Sequence, residues 1–83
     1  MDLEKLLQEI ESFKSENTDR ACNIVVEQVK DLDDIFGEMY LTASDEEDNV
    51  VNDTLLLTIE KPSKEDMEQL RGIADALRVR LNK

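Results

Sequence analysis

The sequence predicts an all-α domain, a four-helix bundle, and three observations predict it. Apolar residues recur near the helical period in four successive segments. Serine-led capping signatures precede two of those segments. Short polar connections separate them, as antiparallel neighbours in a bundle require. The expected helices span about 2–14, 19–40, 45–60 and 64–82, in one acidic domain over residues 1–83.

In the first segment Leu3, Leu6, Leu7, Ile10 and Phe13 share one stripe, with Glu4, Lys5, Gln8, Glu9, Glu11 and Ser12 opposite. That pattern is an amphipathic helix, and Asp2 stands where an N-cap belongs. The second segment clusters β-branched residues, which favours a strand, but Ile24, Val25 and Val26 run consecutively and spoil the alternation. At 100° per residue Ala21, Ile24, Val25, Val29, Leu32, Ile35, Phe36 and Met39 share an arc, so helix is preferred, capped by Thr18 or Asn17. Gly37 falls where it kinks or ends that helix. The third segment opens on Ser44-Asp-Glu-Glu47, a capping box, and Val50, Val51, Thr54, Leu55 and Thr58 cover one face. A strand over Thr54–Glu60 competes with it. The alternative fold is therefore α+β, with strands near 38–43 and 53–60. Pro62 ends the third element, and Ser63-Lys-Glu-Asp66 repeats the capping signature. Met67, Leu70, Ile73, Ala74, Leu77 and Leu81 follow as a clean stripe, with Arg78, Arg80 and Lys83 placed to complement the helix dipole.

Composition narrows the chemistry. The 83 residues include no His, one Cys and two Gly. Without His the commonest general base and most zinc sites are gone, and Cys22 has no partner for a thiol dyad. Two glycines make no phosphate-cradling loop. The expectation is a protein that is not an enzyme and carries no cofactor. The acid-dense runs Asp31–Asp34 and Asp45–Asp48 lack the ligand spacing, central Gly and terminal Glu of a calcium loop, so no metal site is expected. Cys22 reads as a small apolar residue at a helix margin in a reducing compartment. No run approaches the length of a membrane span, and MDLEKLLQEIE lacks the basic start and apolar stretch of a secretory signal. A cytoplasmic location is expected.

The charge distribution carries the functional reading. Net charge is −11, from 21 acids and 10 bases. Ten acids, Asp31, Asp33, Asp34, Glu38, Asp45, Glu46, Glu47, Asp48, Asp53 and Glu60, lie in a stretch holding no Lys or Arg. On the helical reading this stretch is one anionic flank, formed by the end of the second helix, the turn and the third helix. Like charges so close cost stability. The first nine of these acids, through Asp53, are the candidate partner-binding residues. The expected partner is a basic protein, one that itself binds nucleic acid, whose groove this domain occupies and blocks. Direct binding of nucleic acid or of an anionic membrane is disfavoured by the same charge.

Size, charge and expected helicity are similar in kind to small acidic DNA-mimic and anti-restriction inhibitors of phages and mobile elements. Acyl carrier proteins are set aside because Ser12, Ser15, Ser44 and Ser63 lack the Asp-Ser-Leu context of the prosthetic arm. Nuclease-colicin immunity proteins are set aside because the single Tyr40 cannot supply their paired tyrosines. A different class of function competes: a helical adaptor, assembly chaperone or accessory subunit that binds through apolar surface, with a homodimer as one form. Val26, Met39, Tyr40, Leu41, Leu56 and Val79 are its candidate contacts.

Overall fold

Two of the four expected helices form, and the chain between them folds as sheet. The structure is a computed structural model, and it describes residues 2–82. Helix α1 runs Leu3–Glu16 and α2 runs Lys64–Leu81. The capping chemistry read from the sequence holds both starts. The Asp2 carboxylate accepts from the Lys5 N–H at 3.2 Å. Ser63 and Asp66 close a reciprocal box, with Asp66 N–H donating to Ser63 Oγ at 3.1 Å and Ser63 N–H to Asp66 Oδ2 at 2.9 Å. Lys83 lies outside the described residues.

Between the helices lie β1 (Ala21–Asp31), β2 (Asp34–Ser44) and β3 (Val50–Glu60), an antiparallel meander in the order β1-β2-β3. The fold is α+β and not a helical bundle; the helices expected over 19–40 and 45–60 do not exist. The alternative strands near 38–43 and 53–60 fall inside β2 and β3. Packing explains the outcome. Each terminal helix has one apolar stripe to bury, and a sheet face is flat enough to receive both. Register sets that inner face: Cys22 opposite Ala43, Ile24 opposite Leu41, Val26 opposite Met39, with Met39 in turn opposite Leu57. Ile24, Met39, Leu41 and Ala43 are fully buried there beneath Leu6, Ile10 and Phe13 of α1 and Ala74, Leu77 and Leu81 of α2.

Gly37 belongs mid-strand and ends no helix. A Cβ on it would stand 2.7 Å from Met67 Sδ and 3.3 Å from both Leu70 Cδ1 and Pro62 Cγ, so the missing side chain lets the first turn of α2 lie on β2. Asn17, expected to cap the second helix, instead closes the first. Its buried amide donates to the Phe13 carbonyl at 2.8 Å, and its Oδ1 accepts from Arg20 at 2.8 Å and from Asn52 at 3.4 Å. Ser44 caps nothing: it ends β2, and the carboxylate of the next residue organises the turn. Cys22 sits half-buried on the inner face of β1.

Candidate functional site, the open face of the sheet

Both helices cover the same side of the sheet, so its other side is open. Because neighbouring residues alternate faces, the register fixes what that side displays. Across the three strands run Asn23-Thr42-Asp53, then Val25-Tyr40-Leu55, then Glu27-Glu38-Thr58, then Val29-Phe36-Glu60. Two of the three aromatic residues of the chain are therefore on the uncovered face. Acids stand on either side of them. Leu55 is half exposed, and Tyr40, Phe36, Val25 and Val29 are partly buried.

The candidate acids divide into three groups. Asp31, Asp33 and Asp34 form the tip of the β1–β2 hairpin, together with Leu32, which is 88% exposed. Asp45, Glu46, Glu47 and Asp48 form the β2–β3 turn at the other end of the sheet. An 11-residue strand separates the two tips, a span of about 35 Å at the usual rise per residue. Glu38 and Asp53, with Glu60, lie on the open face between them. The single flank expected at one end of a helical hairpin is thus replaced by an acidic strip along the sheet: tip, face, tip. Among the described residues the ion pair that forms joins Arg78 to Asp75 on α2, and none reaches the ten acids of the strip.

Glu27 completes the site and lies outside the stretch that the charge count isolates. The hairpin places it directly opposite Glu38. Like charges on facing positions destabilise a strand pair. The Asp31–Asp34 turn carries the signal for it: folding the chain there brings 27 over 38. Tyr40 lies among these carboxylates. Burial first, then the nearby Glu27 carboxylate and the charges of Glu38 and Asp53, push its phenol above the ordinary value. It remains a neutral hydroxyl over an acidic surface throughout the physiological range. Glu27, Glu38, Tyr40, Asp53, Thr54 and Leu55 together line a shallow depression.

Asp45 is a turn residue by geometry. Its Oδ1 accepts from the Asn49 N–H at 3.0 Å and the Glu47 N–H at 2.9 Å. The bond from Asn49 is the main cause holding its carboxyl below the ordinary range; Glu47, the Asn49 side chain and the Arg20 charge act in the same direction, against a smaller effect of burial. Asp48 supplies the left-handed residue of that turn at φ 64, a conformation Asp tolerates.

Of the apolar candidates, Met39 and Leu41 are core, Val26 and Leu56 pack half-buried against it, and Val79 is exposed on α2. Among the described residues no three acids or thiols converge as metal ligands, and no helix is long and apolar enough to cross a membrane. Comparison with protein-family models, with curated proteins and with solved structures finds no match to this chain.

Proposed function

We propose that this chain is a non-enzymatic binding domain that docks a basic protein, itself a binder of nucleic acid, on the open face of its sheet and the hairpin tips beside it. One observation carries the reading. An uncovered apolar row, Val25-Tyr40-Leu55, is bordered by Glu27, Glu38 and Asp53, with no cation in the three strand rows that hold them. An apolar centre with a charged rim is the anatomy of a protein interface. The sign of the rim selects the partner. A groove lined by Lys and Arg neutralises carboxylates as it would phosphates, and opposite potentials steer the encounter. Occupying that groove excludes nucleic acid from it, so the activity is inhibition by competition. Of the apolar contacts expected of an adaptor Tyr40 alone lies on this face, where it stands with Val25 and Leu55 beside the acids, and a partner with a basic, partly apolar groove meets both kinds of surface.

The test is capture from cell extract on the immobilised protein at two salt concentrations. Basic proteins are retained at low salt, released at high salt and displaced by excess DNA, because screening weakens exposed charge contacts. The triple variant E27Q/E38Q/D53N keeps the fold and retains none of them. Equal retention by that variant overturns the reading.

A further inference from the structure

The two edges of the sheet are not alike. At the β1 edge the backbone groups of Ile24 are already engaged: its N–H donates to Asn23 Oδ1 at 2.9 Å, and its carbonyl accepts from Arg78 Nη2 of α2 at 2.7 Å. The β3 edge has no such cover among the described residues. Over its 11 residues β3 carries no Pro, Lys or Arg, the usual devices that stop an edge from pairing, and Val50, Val51 and Leu55 are exposed along it. Two bulges do interrupt it. Met39 pairs with Leu57 and Tyr40 with Leu55, so Leu56 is extra; Ala43 pairs with Asn52 and Ser44 with Val50, so Val51 is extra. Between the bulges lies a regular run, 52–55.

That run borders a groove. About 530 Å³ of open space separates α1 from β3, with Gln8, Glu9, Ser12 and Glu16 on the helix side and Asn52, Asp53 and Thr54 on the strand side. Backbone alternation shows which amides face it. Ile24 points out of the sheet, so its partner Leu41 points to β3, and Thr54 opposite Leu41 points back. Asp53 and Leu55 therefore present their N–H and C=O groups outward.

We propose that this groove takes an extended, Lys- or Arg-bearing segment of the partner as a short fourth strand on β3. The ladder forms on Asp53 and Leu55, and alternate side chains of the added segment face α1 and the open sheet face. Charge selects a cationic segment: Glu9, Glu16 and Asp53 line the groove against Lys5 alone. A second copy is a poor occupant, since it brings −11 against −11. The proposal rests on the basic-partner reading and adds a mode of binding to it.

The experiment titrates the full chain, isotope-labelled, with an alternating lysine–valine octapeptide, and follows backbone NMR shifts and amide exchange. Exchange slows at Asp53 and Leu55, and shifts appear at Gln8 and Ser12. The same peptide N-methylated at alternate residues binds about tenfold more weakly or worse, having lost its ladder bonds. Equal binding of the methylated peptide, with shifts confined to Tyr40 and Phe36, overturns strand addition while leaving the open-face reading standing. Equal binding of a glutamate–valine peptide overturns the cationic preference. A lysine–valine peptide that moves no resonance overturns both readings. Shifts at β3 that grow with protein concentration alone overturn the proposal in favour of a second copy.

Discussion

At the scale of the residue, the two glycines make opposite predictions from the same substitution. Gly37 is buried where α2 crosses β2, and a methyl group there meets the Met67 sulfur at 2.7 Å with Leu70 and Pro62 close behind. Met67 is itself buried, so the sulfur has little room to yield. Gly37→Ala overpacks the contact and is expected to cost about 1–3 kcal/mol. Gly72 is exposed within α2, and nothing lies within 4 Å of the added methyl. Gly72→Ala is expected to stabilise by about 0.5–1 kcal/mol, because glycine is a poor helix residue. Urea unfolding of both variants checks the pair, and shifts of the same sign would contradict the packing described. Sequence pattern placed Gly37 at a helix kink or end and gave Gly72 no role of its own, so neither effect was visible in it. What separates them is a close approach between β2 and α2, a contact distant in the chain that no local window contains.

At the scale of the element, the terminal helices were legible, whereas the sheet surfaced only in the alternative reading, as strands near 38–43 and 53–60 that fall inside β2 and β3. The helices announce themselves because each buries a single stripe and begins on a cap residue whose side chain meets a free N–H. Strands announce themselves by alternation, and here alternation is erased twice. Val25, Val29, Phe36, Tyr40 and Leu55 are apolar on the open face, so both faces of the sheet read as apolar and consecutive residues fall on a helical arc. The bulge at Leu56 then slips the period by one, which is why Leu55, Leu56 and Leu57 can stand side by side with Leu55 outward and Leu57 inward. The loss of alternation is thus part of the candidate site: a sheet with a solvated polar face would have shown its period. The acids were legible as a group, yet their arrangement was not, because position along a hairpin depends on where the chain turns. That turn offers its own test. Leu32 holds φ 56 at the first position of the two-residue Leu32-Asp33 connection, a conformation suited to glycine. Its side chain is exposed, so little packing is lost on removing it. Leu32→Gly is expected to raise stability by about 0.5–1 kcal/mol, through relief of left-handed strain worth about 1 kcal/mol or more in a non-glycine residue. Thermal unfolding measures it. If the tip serves in docking, the same variant is more stable and binds less tightly, the usual trade where an exposed apolar residue is kept for contact.

At the scale of the whole molecule, the acidic strip makes folding and binding respond to salt with opposite signs. The chain carries −11, and its facing pairs Glu27–Glu38 and Asp31–Asp34 set like charges against each other within one hairpin. The folded state holds these carboxylates closer together than the unfolded chain does, so their repulsion is a cost of folding that mobile cations screen. At 0.1 M salt the screening length is about 10 Å, shorter than the strip, and at 0.01 M it is about 30 Å, comparable with it. The free protein is therefore expected to gain stability as salt rises over that range, through weaker self-repulsion along the sheet. Attraction between the strip and a cationic partner is screened by the same ions, so affinity falls over the same range. Glu27→Gln removes one member of the like-charge pair that faces across β1 and β2 on the open face. It is expected to stabilise the free domain at low salt, by less at high salt, and to weaken capture of a basic partner. Denaturant midpoints of wild type and variant at the two salt concentrations, set beside binding at the same two, decide the matter. Stability that falls with salt in the wild type would mean that the carboxylates are neutralised within the fold, and an internally neutralised strip has no charge left with which to select a basic partner.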